Sequence, residues 1–245
     1  MGRSPSTRNP RLLLFYLKRF GLRKTLGFKL YDDRFFAAHA PLQQAYFDLA
    51  ELIYSTLAPM SACDFGCGNA LLISALKRHG VAVKGIDRSR DALPHIPQSV
   101  VPDVIFEDVT RPLCLESFDL VISTEVAEHI AARHSIRFID NIARHARKNI
   151  FFSAAQPGQW GDGHINCQPK SFWEELFRDR GWGVNYQLQT QMQQAIGREP
   201  RVIRLLPWIE PNFLVLTPIP STPLLRDANV YYEVITHNFG HYSML

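Results

Sequence analysis

The sequence contains few cysteines and no long apolar run. Its four cysteines, Cys63, Cys67, Cys114 and Cys167, form no Cys-x-x-Cys pair and no disulfide-framework spacing. This usage predicts reduced thiols and a cytoplasmic protein. No apolar run approaches the ~20 residues of a membrane-spanning helix. The apolar residues 12–17 are too few for a signal peptide of the usual form, so we expect neither a transmembrane segment nor a secretory signal peptide, although the protein could lie peripherally on a membrane.

Acidic residues are scarce near the amino terminus. Residues 1–34 contain nine Lys/Arg and two Asp/Glu, a net charge of +7, whereas the remaining residues contain 18 and 21, a net charge of −3. Residues 11–24 predict a short helix with apolar residues and basic flanks. This helix either lies on an anionic membrane surface or another polyanion, packs over the following domain, or belongs to an organellar presequence. We favour packing, because most helices with this pattern are half-buried.

Two glycines stand in an informative pattern, Asp64-Phe65-Gly66-Cys67-Gly68, between a short apolar run and an amphipathic stretch that begins at Leu71. A strand, a glycine turn and a helix begin a βαβ unit that binds a nucleotide-like ligand. A dinucleotide fingerprint requires a third glycine at position 71, where this chain has leucine. The acid before the turn suits a ligand with a positive charge better than it suits a pyrophosphate.

The following residues alternate between patterns typical of strands and helices. We find no internal repeat and no low-complexity tract. Helices are predicted at residues 37–57, 71–79, 134–147 and 169–177, and further strands at 81–87, 103–106, 118–123, 149–154, 182–188 and 212–217. This alternation predicts an α/β protein with a largely parallel sheet.

The acid and glycine pattern resembles motif I of the S-adenosylmethionine-dependent methyltransferases with the Rossmann-like fold, and the resemblance extends over about residues 40 to 190. Ala70 stands where many relatives have a third glycine. The resemblance implies a seven-stranded, mostly parallel sheet of order 3-2-1-4-5-7-6, flanked by helices and preceded by a helical extension. We place the basic arm at residues 1–36, the methyltransferase domain at 37–218 and a tail at 219–245. Residues 191–211 are a candidate insert on the acceptor side.

Several residues are candidates for binding S-adenosylmethionine. Asp87 ends the second predicted strand, 19 residues after Gly68, where a right-handed crossover brings a carboxylate beside the turn to accept both ribose hydroxyls. Asp108 and Val109 match the position that contacts adenine in the family, although a solvent-facing turn explains the acid equally well. The resemblance implies the following cofactor-binding set: Asp64, Phe65, Gly66, Cys67, Gly68, Asp87, Arg88, Asp108, Val109 and Thr124.

Three titratable residues, Glu125, Glu128 and His129, follow the fourth predicted strand. On one helical turn all three would point the same way. With His164, from the glycine-rich loop after the fifth strand, they form a candidate Mg²⁺ or Mn²⁺ site. The group resembles the Glu-x-x-Glu-His of small-RNA 2′-O-methyltransferases and of ubiquinone-pathway O-methyltransferases. Without a metal, His129 would line the acceptor pocket, and His129 or His164 would serve as the catalytic base.

No Asn/Asp-Pro-Pro-aromatic run follows the fourth strand, where the chain reads Ser123-Thr124-Glu125-Val126, and this argues against methylation of nucleic-acid base amines. We therefore expect an S-adenosylmethionine-dependent O-methyltransferase that acts on a small molecule, lipid or glycan precursor. One alternative is a binding or scaffold protein of the same fold without turnover. Another is an RNA-end 2′-O-methyltransferase, which the basic arm alone supports.

Overall fold

The computed structural model describes residues 31–159 and 161–220. The helix predicted over residues 11–24 and the tail beyond residue 220 lie outside the described residues. Contact of the basic arm with an anionic surface therefore stays a prediction, as do the domain boundaries. Among the described residues, no helix combines the length and the apolar character that a membrane span requires.

The described residues form a seven-stranded sheet with the order β3-β2-β1-β4-β5-β7-β6, which confirms the predicted fold class. Strand β7 runs antiparallel to β5 and β6, and the other paired strands are parallel. The strands are β1 (Ser61–Phe65), β2 (Ala82–Ile86), β3 (Val104–Ile105), β4 (Phe118–Thr124), β5 (Ala146–Ser153), β6 (Trp182–Val184) and β7 (Leu214–Pro218).

Helices cover both faces of the sheet, because the central strands are apolar on both faces. Successive residues of β4 point to opposite faces, so Leu120 and Ile122 join one buried core and Val121 joins the other. The helices are α1 (Asp33–Ala37), α2 (Gln43–Leu57), α3 (Leu71–Arg78), α4 (Ser135–His145), α5 (Lys170–Arg178), α6 (Tyr186–Ile196), α7 (Pro200–Leu205) and α8 (Ile209–Asn212).

The continuous helix predicted over residues 37–57 is wrong in its first part. Helix α1 ends at Ala37, a 3₁₀ turn covers Ala40–Leu42, and α2 begins only at Gln43. Pro41 explains the break, because proline has no amide hydrogen to donate to a carbonyl of the preceding turn.

The strand predicted over residues 182–188 is too long. Strand β6 ends at Val184, and Asn185 then caps α6 by accepting a hydrogen bond from the Leu188 amide at 3.1 Å. Residues 191–211 therefore hold most of α6, all of α7 and the start of α8. Helix α4 also ends two residues earlier than predicted, because β5 begins at Ala146.

Candidate active site

A cavity of about 1240 Å³ lies at the carboxyl edge of the parallel strands. Residues at or just beyond the ends of β1, β2 and β4 line it, together with residues from α1, α2 and the loop after β5. Open α/β sheets bind their ligands at this edge.

The glycine turn after β1 forms part of the cavity wall. Gly66 has a φ of +90°, and a Cβ there would overlap the Val126 side chain beyond β4, so the position requires glycine for both reasons. Ala70 precedes α3 with a φ of +55°, in the left-handed region that favours glycine.

Asp64 is buried at the end of β1, with 3% of its surface exposed, and it lines the cavity. Its Oδ1 atom has no hydrogen-bond partner among the described residues. Burial, and then the charge of Asp87, raise the pKa of Asp64 to about 8. A positively charged ligand in the cavity would favour the carboxylate form.

Asp87 lies beside the glycine turn, as the crossover predicts. Its carboxylate accepts hydrogen bonds from the amides of Gly68 at 2.9 Å and Ser89 at 2.8 Å. Burial nevertheless raises the pKa of this carboxyl. Because each carboxylate oxygen has two lone pairs, Asp87 still has acceptor sites for a ligand.

Asp108 also lines the cavity, and its Oδ1 accepts hydrogen bonds from the Thr110 amide and hydroxyl at 2.8 and 2.7 Å. Burial favours the neutral acid, but these hydrogen bonds outweigh it and lower the pKa of Asp108. Nine of the ten predicted cofactor residues line this one cavity. Phe65 does not, because its side chain packs in the core on one face of the sheet.

The prediction that Glu125, Glu128 and His129 share one helical turn is wrong. Glu125 has a φ of +55°, which turns the chain before a short 3₁₀ turn covers Ala127–His129. Glu125 accepts hydrogen bonds from the Ser153 hydroxyl at 2.8 Å and from the Asn212 amide at 3.2 Å.

Glu128, His129 and His164 converge. Each offers one ligand atom, and these three atoms lie within 4.8 Å of one another. The ring centroids of the two histidines are 4.9 Å apart, which confirms that the loop after β5 returns to the end of β4. Gly161 permits this approach, because a Cβ there would overlap the His164 ring. Glu125 is not a member of this group of three.

Glu128 is fully buried, and its Oε1 accepts a hydrogen bond from the Ala155 amide at 3.2 Å. Its Oε2 receives no amide or hydroxyl hydrogen bond from the described residues. Burial and the neighbouring charge of Glu125 raise the pKa of Glu128, and burial also raises the pKa of Glu125. The Glu128 carbonyl accepts the amides of Ile165 and Asn166, which fixes the loop that carries His164.

Sequence reasoning missed much of the aromatic wall. The apolar stripe on α2 that contains Tyr46 fits packing as well as it fits the helix that closes one side of the cofactor pocket in the resembled family, and the segment before α2 gives no ligand-binding signal. Trp208 is part of the predicted acceptor-side insert, and it does line the cavity. The aromatic and imidazole side chains that line the cavity without having been predicted as site residues are Tyr31, Phe35, Phe36, His39, Tyr46, His134 and Trp208.

Comparison with known proteins gives independent evidence on the family of this chain. A family model described as a methyltransferase domain matches residues 38–187. The chain is 34% identical over 110 residues to a ubiquinone biosynthesis O-methyltransferase of Methylobacterium sp. (strain 4-46). That match covers 40% of this chain and 41% of the relative, so the chain spans less than half the length of that protein.

Two solved structures share the fold at low sequence identity. One is an O-methyltransferase from a trans-AT PKS multienzyme of Brevibacillus brevis in complex with S-adenosyl-L-homocysteine, with 14% identity, a TM-score of 0.51, and coverage of 74% of this chain and 73% of that chain. The other is the magnesium protoporphyrin IX methyltransferase of Synechocystis PCC 6803 with bound S-adenosylmethionine, with 16% identity, a TM-score of 0.50, and coverage of 87% and 98%. The family match, the strand order and the glycine turn agree, and the chain belongs to the class I S-adenosylmethionine-dependent methyltransferases.

Proposed function

We propose that this methyltransferase transfers the methyl group to a hydroxyl of a small molecule, lipid or glycan precursor. The convergence of Glu128, His129 and His164 supports this proposal most directly. A hydroxyl acceptor must lose a proton during transfer, whereas a deprotonated amine need not, and the two imidazoles of this group can accept a proton. The name of the curated relative, an O-methyltransferase, is consistent with this chemistry.

In this proposal the cofactor lies along the ends of β1, β2 and β4. Asp87 accepts the ribose hydroxyls, and Asp108 with the Val109 backbone contacts the adenine. The methionine part lies against Gly66 and Thr124. The support is that these residues line one cavity, and that Asp87 is already oriented by two backbone amides. A carboxylate fixed in this way loses little conformational entropy when it binds a ligand.

The acceptor would occupy the part of the cavity lined by His129, His164 and Trp208. Methyl transfer is an in-line displacement, so the enzyme must hold the acceptor oxygen, the methyl carbon and the sulfur in one line. Aromatic rings from several elements line the cavity, and they would help to keep water away from that line.

His164 is oriented to accept a proton. Its Nδ1 lies 3.1 Å from the Gln159 carbonyl oxygen, which only accepts hydrogen bonds, so Nδ1 donates. In the neutral imidazole, Nε2 is then the proton acceptor. This nitrogen lies 4.0 Å from Glu128 Oε1 and faces the centre of the group of three. We propose His164 as the base, with His129 beside it as the alternative.

A divalent cation, Mg²⁺ or Mn²⁺, fits the same group. The buried Oε2 of Glu128 receives no amide or hydroxyl hydrogen bond from the described residues, and the Glu128 carboxyl lies beside that of Glu125. Glu128, His129 and His164 would hold the ion, and Glu125 is the predicted fourth ligand. A bound cation would lower the pKa of the acceptor hydroxyl. With or without a cation, His129 and His164 place two imidazole rings side by side in the cavity wall.

The test is the release of S-adenosylhomocysteine by the purified protein with S-adenosylmethionine and a panel of acceptors: phenols, aliphatic alcohols, lipid and glycan precursors, RNA ends and amines. Mass spectrometry then locates the added methyl group. We expect turnover with hydroxyl acceptors and an O-linked methyl. Turnover with amines alone would overturn O-methylation and leave the family assignment intact.

A further inference from the structure

The Tyr31 side chain is packed into the cavity wall. Its ring meets the rings of Phe35 and His129 at angles of 90° and 86°, with centroids 5.0 and 5.7 Å apart. The Arg88 guanidinium carbon lies 6.0 Å from the centre of the same ring. Contacts with two rings and a cation favour one orientation of an aromatic side chain. The phenol ring of Tyr31 is therefore held beside His129, one of the two imidazoles of the proposed acceptor site.

The backbone of Tyr31 is also held in place. The Ser89 hydroxyl, just beyond the end of β2, donates a hydrogen bond to the Tyr31 carbonyl at 3.1 Å. The next residue, Asp32, caps α1 by accepting a hydrogen bond from the Phe35 amide at 3.1 Å. Because both the ring and the backbone are in contact with other elements, the Tyr31 hydroxyl has a defined position in the cavity wall.

This hydroxyl is buried and forms no hydrogen bond within the described residues. Burial raises the pKa of Tyr31, the charge of Arg88 lowers it, and the charges of Glu128 and Asp87 raise it. The phenol therefore stays neutral and can donate a hydrogen bond. Glu128 belongs to the group of three and Asp87 to the proposed ribose site, so the hydroxyl is within electrostatic reach of both parts of the cavity.

A buried hydroxyl without a partner is unfavourable, because it has lost its hydrogen bonds to water and has gained none in return. Buried tyrosine hydroxyls usually find a hydrogen-bond partner. Tyr31 lines the cavity, so a ligand can supply the partner that the described residues do not. The contact of the Tyr31 ring with His129 favours the methyl acceptor as that ligand.

We infer that the Tyr31 hydroxyl donates a hydrogen bond to the oxygen atom of the methyl acceptor and thereby selects oxygen acceptors over sulfur acceptors. This inference rests on the proposed transfer to a hydroxyl. An alcohol or phenol oxygen carries one hydrogen and two lone pairs. In this arrangement its hydrogen faces Nε2 of His164, one lone pair accepts the hydrogen bond from Tyr31, and the other lone pair faces the methyl carbon.

During transfer, the O–H bond of the acceptor breaks and its proton passes to Nε2 of His164. The oxygen lone pair forms the new bond to the methyl carbon, and the electron pair of the carbon–sulfur bond stays on the sulfur of S-adenosylhomocysteine. Tyr31 keeps its own proton, so it orients the acceptor oxygen and takes no part in proton transfer. A thiol acceptor would gain less from this contact, because sulfur is a weak hydrogen-bond acceptor.

The test compares Tyr31→Phe with wild type, using the hydroxyl acceptor that the panel identifies and its thiol analogue. Phenylalanine keeps the ring and removes only the hydroxyl. We expect kcat/KM for the hydroxyl acceptor to fall about 5- to 50-fold, the range for one lost hydrogen bond. For the thiol analogue it should change by less than about 2-fold. Binding of S-adenosylhomocysteine, measured by calorimetry, should stay at the wild-type value.

The control is Tyr54→Phe, which removes a hydroxyl outside the cavity. The Tyr54 ring stacks on His79, and neither residue lines the cavity. This variant should keep both wild-type rates. If Tyr31→Phe lowers the rates with the hydroxyl and the thiol by the same factor, Tyr31 only supports the structure of the site, and the inference is wrong. If Tyr31→Phe weakens S-adenosylhomocysteine by the factor expected for the hydroxyl acceptor, Tyr31 contacts the cofactor instead.

A binding measurement tests the inference without turnover, so that it stands or falls separately from the proposed O-methylation. In protein saturated with S-adenosylhomocysteine, wild type should bind phenol more tightly than toluene, and Tyr31→Phe should lose most of that preference. A wild type without the preference, or a variant that keeps it, overturns the inference. Absence of turnover with every hydroxyl acceptor of the panel would instead overturn the proposed function.

Discussion

The carboxylate of Asp87 accepts a hydrogen bond from the Gly68 amide at 2.9 Å, although 19 residues separate them in the chain. This bond joins the end of β2 to the glycine turn after β1, the two places where the proposed cofactor contacts begin. The remaining lone pairs of the same carboxylate are the proposed acceptors for the ribose hydroxyls. One side chain therefore both accepts a hydrogen bond from the glycine turn and lines the cavity.

Replacing Asp87 by alanine should weaken S-adenosylmethionine binding by about 1–3 kcal/mol, because a charged acceptor of hydrogen bonds is lost. Calorimetry on the folded variant measures this change. Glu107→Ala is the control, since Glu107 is exposed and does not line the cavity. Equal affinity of wild type and Asp87→Ala would refute the ribose assignment.

Asp64 predicts a pH dependence of stability in the protein without cofactor. Its pKa is about 8 in the folded state, against about 3.9 in the unfolded chain. Between these values the folded state binds one more proton, so this group's contribution to the free energy of unfolding falls as pH rises from about 4 to 8. Asp64→Asn carries no such proton, and it should be more stable than wild type at pH 8 and lose that advantage at pH 5. Urea unfolding at the two pH values measures the difference, and a pH-independent difference would contradict the prediction.

Ala70 should tolerate glycine better than other buried alanines do. Its left-handed backbone, with a φ of +55°, costs about 1–2 kcal/mol for a residue with a Cβ, and glycine removes that cost. The gain offsets the lost methyl burial of about 0.8 kcal/mol. The free energy of unfolding should therefore change by less than about 1 kcal/mol.

The control for Ala70 is Ala75→Gly, within α3. Ala75 is also buried, but it lies in a helix interior. There the low helix propensity of glycine alone lowers the free energy of unfolding by about 1 kcal/mol relative to alanine. Urea unfolding of both variants gives the comparison. Equal losses of stability at the two positions would show that Ala70 is not strained.

His164→Ala should lower kcat by about 10²- to 10⁴-fold on a hydroxyl acceptor, the usual contribution of a general base. Affinity for S-adenosylmethionine should stay at the wild-type value, and added imidazole should restore part of the rate. His79→Ala is the control, because His79 pairs with Glu51 and does not line the cavity. Loss of cofactor binding in His164→Ala would place this histidine in the cofactor site.

Treatment with a chelator distinguishes the metal-free form of the proposed mechanism from the form that uses a divalent cation. If Glu128, His129 and His164 act without a cation, treatment with a chelator leaves turnover unchanged. If they hold a divalent ion, the chelator stops turnover, and Mg²⁺ or Mn²⁺ restores it. Turnover after full removal of divalent ions would end the metal form of the proposal.

The sheet was predictable because its signals are local. Apolar runs of four to eight residues, the glycines at 66 and 68 and the acid at 87 each report on their own segment. The strand order came from the family resemblance that these segments carry, and the sheet has that order. The convergence of His129 and His164 followed from the crossover rule, since both lie beyond the carboxyl ends of neighbouring parallel strands.

The surroundings of Glu125 were not predictable in this way. Spacing suggested a shared helical face, but Glu125 has a left-handed backbone, and its side chain accepts hydrogen bonds from Ser153 and from Asn212, which lies 87 residues further along the chain. No local sequence pattern predicts a hydrogen-bond partner that is so distant along the chain. The aromatic wall was missed for a similar reason, because Tyr46 on an amphipathic helix looks the same whether it faces a core or a cavity.

The chain between β6 and β7 contributes both to the cavity wall and to the hydrogen bonds of Glu125. Trp208 lines the cavity, and Asn212, four residues later, donates to Glu125. Any attempt to redirect the enzyme to another acceptor by exchanging this whole segment with that of a relative would therefore also remove a hydrogen bond to Glu125. The exchangeable part is residues 186–208, and a graft that keeps α8 intact through Asn212 leaves the support of Glu125 in place.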